Sequence, residues 1–402
     1  MKRSATGGTN LGHARTFNRR VVLETIRLQG PLSRAAIARQ TGLSIQTILN
    51  IAEELTDQGL LREGGLRQSG GRGAPAPELA LNPNGGFTFG ISLDHRRLVV
   101  VLVDMTGQQR DSATLDIEGL APDAVLLLIE RTALGLAKRA DAPRKRLWGA
   151  GVVMPMLFEN GRPISFGPSS LPAWQDTPIV ARLSDALAMP VMVENDATAA
   201  AVGEQLYGAG RRFRDFFYIY IGVGVGGGMI LAGHPYRGSA GRAGELGHIV
   251  VEPDGRPCAC GNRGCLERYA SLSAAQHALD GRPEGARPVD VVRIAAKADM
   301  LGPWIDLAAG HLATACVTVD NLLNPEAIVI GGIIPDRMLV LLLDKLNARL
   351  SGIRLDNRIR IVQAEVDLET PALGGAALPL FNGLVPAVSL LHKEGRDGAR
   401  PS

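Results

Sequence analysis

Three of the four cysteines lie within eight residues, as Cys258-Ala259-Cys260 and then Cys265, and His248 stands ten residues before the first of them. Three thiolates and an imidazole are the Cys₃His donor set of a closed tetrahedral zinc site. If one ion takes all four, the segment from 248 to 265 must close on itself as a stapled loop. Gly255, Gly261 and Gly264 permit the tight turns such closure needs. The competing reading is a reduced cluster with no metal. A disulfide framework fits poorly, because the fourth cysteine, Cys316, is isolated in a helical stretch and reads as a core thiol. The chemistry suits a reducing compartment, so a cytoplasmic location is expected. No apolar run approaches the roughly 20 residues of a membrane span, and MKRSATGGTN lacks the apolar segment of a secretory signal.

Charge divides the 402 residues unevenly. Residues 1–82 carry 11 Lys/Arg against 6 Asp/Glu, a net of +5, although the whole chain is only +3. A basic head on a near-neutral body points to an anionic polymer as partner of the head alone. Residues 1–16 are polar and read as a flexible basic arm. Val21, Val22, Ile26 and Leu28 then punctuate a helix that Gly30-Pro31 stops. Ser33 is placed to cap a second helix. Ser44 is placed to cap a third, with Ile48, Ile51 and Leu55 as its apolar stripe. Two short strands, near Leu60–Glu63 and Leu79–Leu81, flank a Gly/Arg loop. Helix, helix, turn, helix and hairpin over residues 17–82 make a winged helix-turn-helix.

In that arrangement Ser44, Gln46, Thr47 and Asn50 face away from the stripe, toward a major groove. Gln and Asn can pair with adenine edges, and Ser and Thr with bases or phosphates. Arg19, Arg20, Arg34 and Arg39 are candidates for phosphate contact. Arg72, between Gly71 and Gly73 in the wing loop, is placed to follow a minor groove. The bland alternative is a protein-interaction head with a flexible Arg linker.

The sequence Asn82-Pro83-Asn84-Gly85-Gly86 marks a boundary. Beyond it a strand-turn-strand, Phe87–Leu93 and Leu98–Asp104, is followed by a helix near Ala121–Ala140. Strands near Leu147–Val153 and Val191–Glu194 come next. A second strand-turn-strand, Phe216–Ile221 and Gly228–Leu231, repeats the first arrangement. The body therefore reads as a duplicated α/β structure, with lobes over 83–200 and 201–385. A C-terminal helix can return to the first lobe, and residues 386–402 form a polar tail.

Asn195-Asp196 ends a predicted strand. There Asp196 can accept a hydroxyl proton, or simply cap the helix Ala197–Gln205. Glu245 and Glu267 flank the cysteine loop, and a bound metal would draw both toward one place. Several carboxylates, an amide and an imidazole on one cleft suit a polyhydroxyl ligand. The run Gly222–Gly228 reads as a turn whose amides could cradle a phosphate, or as a plain tight turn. The matching first turn, Asp94-His95-Arg96-Arg97, has no glycine and would obstruct such an approach.

Together these residues resemble the ROK family of bacterial sugar kinases and repressors. The most specific stretch is Gly244-Glu245-Leu246-Gly247-His248, continued by Cys258 to Glu267. The resemblance implies an N-terminal winged helix-turn-helix on a duplicated actin-like (ribonuclease H-like) two-lobe body with the cleft between lobes. It implies one structural zinc ion on His248, Cys258, Cys260 and Cys265. It also implies sugar contacts from Asn195, Asp196, Glu245, His248 and Glu267. In the family's kinases the first hairpin carries an Asp-x-Gly-x-Thr type phosphate loop. Here Ser92, Asp94 and Arg96 stand in the Asp, Gly and Thr places. Ser170 stands where an Asn near the sugar is expected. The expected function is a sugar-responsive regulator, most readily a repressor, of carbohydrate uptake or catabolism genes. It would bind a palindromic double-stranded operator as a homodimer or tetramer, without catalytic activity. The alternative is an active ATP-dependent sugar kinase with an appended head, in which Asp196 is the base. A repressor gated by a protein partner is a third reading.

Overall fold

The computed structural model describes residues 11–66, 77–94, 96–159, 162–164, 171–282, 288–351, 359–366 and 371–385. The chain divides into two compact units. One holds residues 1–87, 104–108 and 380–402; the other holds 88–103 and 109–379.

The first unit contains the head. Helix α1 (Leu11–Gln29) is followed by strand β1 (Leu32–Ser33), α2 (Arg34–Thr41), α3 (Ile45–Asp57), β2 (Leu61–Leu66) and β3 (Pro77–Leu81). Ser33 and Ser44 cap α2 and α3 through the amides of Ala36 and Thr47, each satisfying an amide the helix leaves open. Gly42 ends α2 at φ 71°, a left-handed conformation that favours glycine. Val22 and Ile26 of α1, Ile37 of α2, and Ile48, Ile51 and Leu55 of α3 bury their side chains with Leu61 and Leu79. Burying each such side chain is worth roughly 1.5–3 kcal/mol. The sheet order is β1-β3-β2, with Leu32 opposite Leu79 and Leu61 opposite Leu81.

Two expectations change here. The helix begins at Leu11, so residues 11–16 belong to α1 and not to the arm. A third wing strand, β1, precedes α2; two residues carry no readable period. The C-terminal residues also regroup. Arg20 Nη1 donates to the Val385 carbonyl at 3.3 Å, within the head's unit. Arg72 and Ser170 lie outside the described residues, as do the tail 386–402 and residues 1–10 of the arm.

The second unit holds the body. Strands β4 (Phe87–Leu93), β5 (Arg97–Asp104) and β6 (Gln109–Asp116) lead into α4 (Pro122–Arg139) and β7 (Leu147–Met154). A small hairpin, β8 (Leu157–Glu159) with β9 (Arg162–Ile164), precedes α5 (Ile179–Leu187), β10 (Val191–Asn195) and α6 (Asp196–Tyr207). The second half runs β11 (Phe216–Ile221), β12 (Val225–Leu231), β13 (His234–Pro235), α7 (Glu267–Ala270), α8 (Leu272–Asp280) and α9 (Val291–Ala296). It ends with α10 (Gly302–Leu323), β14 (Ala327–Gly332), α11 (Asp336–Leu350), β15 (Ile361–Gln363) and α12 (Ala372–Leu384).

The two five-stranded sheets share one topology. Their orders are β6-β5-β4-β7-β10 and β13-β12-β11-β14-β15. In the second, β11 pairs antiparallel with β12 and parallel with β14; in the first, β5 pairs antiparallel with β6 and β7 parallel with β10. This is the duplicated actin-like body. The central strand β11, Phe-Phe-Tyr-Ile-Tyr-Ile, is buried along its whole length, as a strand covered on both faces must be. The core beside it takes Leu312 and Cys316 from α10 and Leu342 and Leu346 from α11, which places Cys316 as the core thiol expected of it.

Helix α12 lies backbone to backbone on the first half. A Cβ on Gly90 of β4 would sit 1.7 Å from the Ala372 carbonyl oxygen, and one on Gly151 of β7 2.1 Å from that of Gly375. Thr88 Oγ1 donates to the Ala376 carbonyl at 2.8 Å. Helix α12 thus packs on the first sheet, the return expected of the C-terminal helix, and α6 (Asp196–Tyr207) runs across residue 200.

Candidate functional site

On the head, α3 presents Gln46 and Asn50 to solvent. Gln46 Nε2 donates to Asn50 Oδ1 at 3.0 Å. Ser44 Oγ is engaged by the cap and lies 2.8 Å from the half-buried Thr47 Oγ1. The candidate phosphate-contacting arginines part company. Arg19 pairs with Glu54 at 2.9 Å and Arg34 with Glu63 at 3.3 Å. Arg20 turns to Val385. Arg39 is exposed at the end of α2 and makes no ion pair among the described residues.

In the body, His248, Cys258, Cys260 and Cys265 bring one ligand atom each into a group within 4.8 Å of one another. Gly261 and Gly264 take φ of 95° and 74° in this loop. A Cβ on Gly264 would fall 1.7 Å from the Glu252 carbonyl oxygen. His248 Nδ1 is 3.6 Å from Cys258 Sγ, and Cys260 Sγ is 3.6 Å from Cys265 Sγ. A disulfide needs about 2.0 Å. A tetrahedron with metal–sulfur bonds of about 2.3 Å has edges near 3.8 Å. Burial, and then neighbouring Cys260 and Cys258, push the Cys265 thiol up to about 12. Three thiolates at this spacing repel one another, and a shared cation relieves that repulsion. The group is thus fitted to hold a metal ion.

The expected ligand-binding carboxylates face the same place. Glu245 Oε2 lies 3.8 Å from His248 Nε2. Burial pushes the Asp196 carboxyl up to about 6, with the nearby Glu267 charge adding to the rise. Burial also raises Glu245, which feels His248, Asp196 and Glu267. Asp196, Glu245 and Glu267 therefore lie within electrostatic reach of one another. The helix cap falls one residue earlier than expected. Asn195, not Asp196, caps α6, accepting from the Thr198 amide at 2.7 Å. Asp196 is the first helical residue, and its carboxylate accepts from the Ala197 amide at 2.9 Å.

The glycine run is only partly a turn. Gly226, Gly227 and Gly228 are strand residues opposite Tyr220, Ile219 and Tyr218. A Cβ on Gly228 would meet the Ala197 carbonyl oxygen at 2.4 Å, and one on Gly227 the Gly244 carbonyl oxygen at 2.5 Å. These glycines let α6 press on one face of β12 and the Gly244 segment on the other. Gly222–Gly224 forms the turn itself, and a Cβ on Gly224 would lie 2.2 Å from Glu267 Oε2. In the first hairpin, Asp94 Oδ1 accepts from the amides of Arg96 and Arg97, both at 2.7 Å. Arg96 pairs with Glu118 at 3.1 Å.

The winged head, twin sheets, four-ligand cluster and adjoining carboxylates match known proteins. Residues 89–380 match the profile of the ROK family. The chain belongs to the ROK family. A "Xylose repressor" of Bacillus spizizenii is 29% identical over 367 residues, covering 90% of this chain and 94% of the relative. A "Glucokinase" of Thermotoga maritima is 32% identical over 262 residues, covering 61% and 81%. Among solved structures, a "ROK family transcriptional regulator, homolog of E.coli MLC protein" aligns with TM-score 0.73 and 26% identity, covering 92% of this chain and 98% of that one.

This ROK chain also carries site residues that its sequence does not single out. Glu194, buried at the end of β10, receives Arg237 Nε at 2.7 Å and the Asn195 amide at 3.0 Å. It fixes the residue that caps α6. The available signal was a carboxylate closing an otherwise apolar strand. Tyr220 is buried, and the charges of Asp196 and Asp94 raise its phenol further above the ordinary value. It therefore lies within electrostatic reach of the start of α6 and of the first hairpin turn. No helix among the described residues is long and apolar enough to cross a membrane.

Proposed function

We propose that this chain is a sugar-responsive transcriptional repressor of carbohydrate uptake or catabolism genes. The observation that carries the reading is one chain joining a winged helix-turn-helix to a body in which Asp196, Glu245, His248 and Glu267 gather beside Asn195. Donors and acceptors so grouped match the hydroxyls of a sugar. The repressor-named relative covers 90% of this chain and makes xylose the first sugar to test.

His248, Cys258, Cys260 and Cys265 would hold one zinc ion, which locks the loop between Glu245 and Glu267 when bound. A homodimer would set two copies of α3 on a palindromic operator about one helical turn apart. Sugar bound between the lobes shifts the heads only through unequal affinity for two lobe arrangements. The first hairpin supports a non-catalytic body. The Asp94 carboxylate already takes two amides of the turn and sets a negative charge where a phosphate would approach.

A thermal-shift screen of sugars and sugar phosphates, followed by DNA binding with each hit, tests the reading. The expected result is one sugar that stabilises the full chain and changes its affinity for a duplex from near its own gene. No salt-dependent preference for any such duplex would sink it. The glucokinase likeness keeps a second reading, a sugar kinase with Asp196 as base. ATP-dependent phosphorylation of a hexose, abolished by Asp196→Asn, would establish that alternative.

A further inference from the structure

The first two turns of α3 carry an unexpected pair. Ile45 is 51% exposed and Leu49 is 41% exposed, four residues apart on the helix. Neither belongs to the buried stripe of Ile48, Ile51, Ala52 and Leu55. Residues at that spacing stand one above the other on one face. Gln46 and Asn50 are exposed beside them, at the same spacing. An aliphatic pair so exposed needs an occupant that is apolar at two points and polar between them.

Charge bounds where that occupant sits. Residues 1–52 hold eight Lys/Arg and a single acid, Glu24. The same outward face of α3 turns acidic beyond its second turn, at Glu53 and Asp57, both exposed. A polyanion can therefore approach the first two turns and is repelled from the last. The Gln46–Asn50 bond fixes the two amides. It leaves an Asn50 donor and the Gln46 oxygen as an acceptor. Adenine offers the complement in the major groove, an N7 acceptor and an N6 donor. The apolar group in that groove is the thymine C5 methyl.

We infer that Ile45 and Leu49 read thymine methyl groups, so that the half-site under α3 is a short A·T-rich run. The inference rests on the head being a DNA-binding unit, as proposed above. Side chains of this kind add specificity without adding charge. Replacing them changes sequence preference and leaves the salt dependence of binding as it was.

The experiment uses the full chain. Duplexes selected from a random pool give the preferred half-site. Each thymine in it is then replaced by uracil, which removes only the methyl group. Wild type should lose about fourfold in affinity at each contacted position, the value of one buried methylene. Ile45→Ala/Leu49→Ala should bind the thymine duplex more weakly and be indifferent to uracil. Its salt slope should equal that of wild type. Both side chains are exposed, so circular dichroism should show an unchanged fold. Equal uracil sensitivity in wild type and variant, or none in either, overturns the inference while leaving the repressor reading intact. A change of oligomeric state in the variant without that thymine effect makes the face a contact between protein copies and also overturns it. Failure to select any duplex overturns the repressor reading and this inference together.

Discussion

Glu245 Oε2 stands 3.8 Å from Nε2 of His248, while Nδ1 of the same ring stands 3.6 Å from Cys258 Sγ. One imidazole therefore touches the cysteine set with one nitrogen and the carboxylate set with the other. Glu267 closes the same circuit, two residues beyond Cys265 at the start of α7. The loop that carries the four candidate metal ligands and the segment that carries the proposed sugar contacts Glu245 and Glu267 are one piece of chain.

Removing the metal should therefore weaken sugar binding, because His248 serves both sets and the same loop carries Glu245 and Glu267. Chelation, or Cys260→Ala, is expected to cost about 10–100-fold in sugar affinity, the usual effect of losing a partner that orients a ligand. Calorimetric titration beside a metal assay checks it. Unchanged affinity in metal-free protein would uncouple the two sets.

Two glycines four residues apart, Gly224 and Gly228, should separate binding from stability. A Cβ on Gly228 meets backbone, the Ala197 carbonyl oxygen, and α6 must shift. Gly228→Ala is expected to cost about 1–3 kcal/mol of stability. A Cβ on Gly224 meets the tip of the Glu267 side chain, which can rotate away. Gly224→Ala should leave the unfolding midpoint nearly unchanged and weaken sugar binding. Thermal unfolding and titration of both variants decide it.

That contrast shows what the sequence conveyed and what it concealed. The cysteine cluster was legible because its four ligands are close along the chain and their spacing is itself the signal. The paired hairpins were legible because Phe216–Ile221 is a continuous apolar run. The run Gly222–Gly228 read as a turn because glycine marks turns. Its actual cause at Gly226–Gly228 is the close approach of α6 and Gly244, which are distant in sequence. The short strands β1, β13 and β15 have too few residues to show a period. The return of α12 depends on Gly90 and Gly151, whose role appears only when Ala372 and Gly375 lie against them.

Stability should carry a pH signature from Glu204. Its side chain is fully buried and accepts amides of Ala209, Glu365 and Val366 at 2.7, 3.0 and 2.9 Å. Burial outweighs those bonds and lifts its carboxyl to about 7. The folded chain then binds this proton more tightly than the unfolded chain, whose carboxyl titrates near 4.5. Its contribution is fullest below that value, falls as pH rises toward about 7, and is level above. The fall is on the order of 3 kcal/mol. Glu204→Gln has no proton to lose, so its stability relative to wild type should rise across that window in denaturant titrations. Parallel curves for the two proteins would remove Glu204 as the cause.

Asp196 and Asp94 together make the last prediction. Burial holds the Asp196 carboxyl near 6, so it is largely ionised at pH 7 and largely protonated at pH 5. A carboxylate accepts two sugar hydroxyls where the acid form gives up part of that capacity. Sugar affinity should rise from pH 5 to pH 7, and Asp196→Asn should flatten the rise and weaken binding by roughly 10-fold, about 1.4 kcal/mol. Ionised Asp196 would also suffice as a base, so the outcome with ATP rests on the first hairpin. There the amides of Arg96 and Arg97 are held by Asp94, and a triphosphate would have to displace that carboxylate against its charge. Wild type should show no ATP-dependent sugar phosphorylation while binding the same sugar tightly. Turnover by wild type that Asp196→Asn abolishes would show instead that the turn opens and that the body is an enzyme.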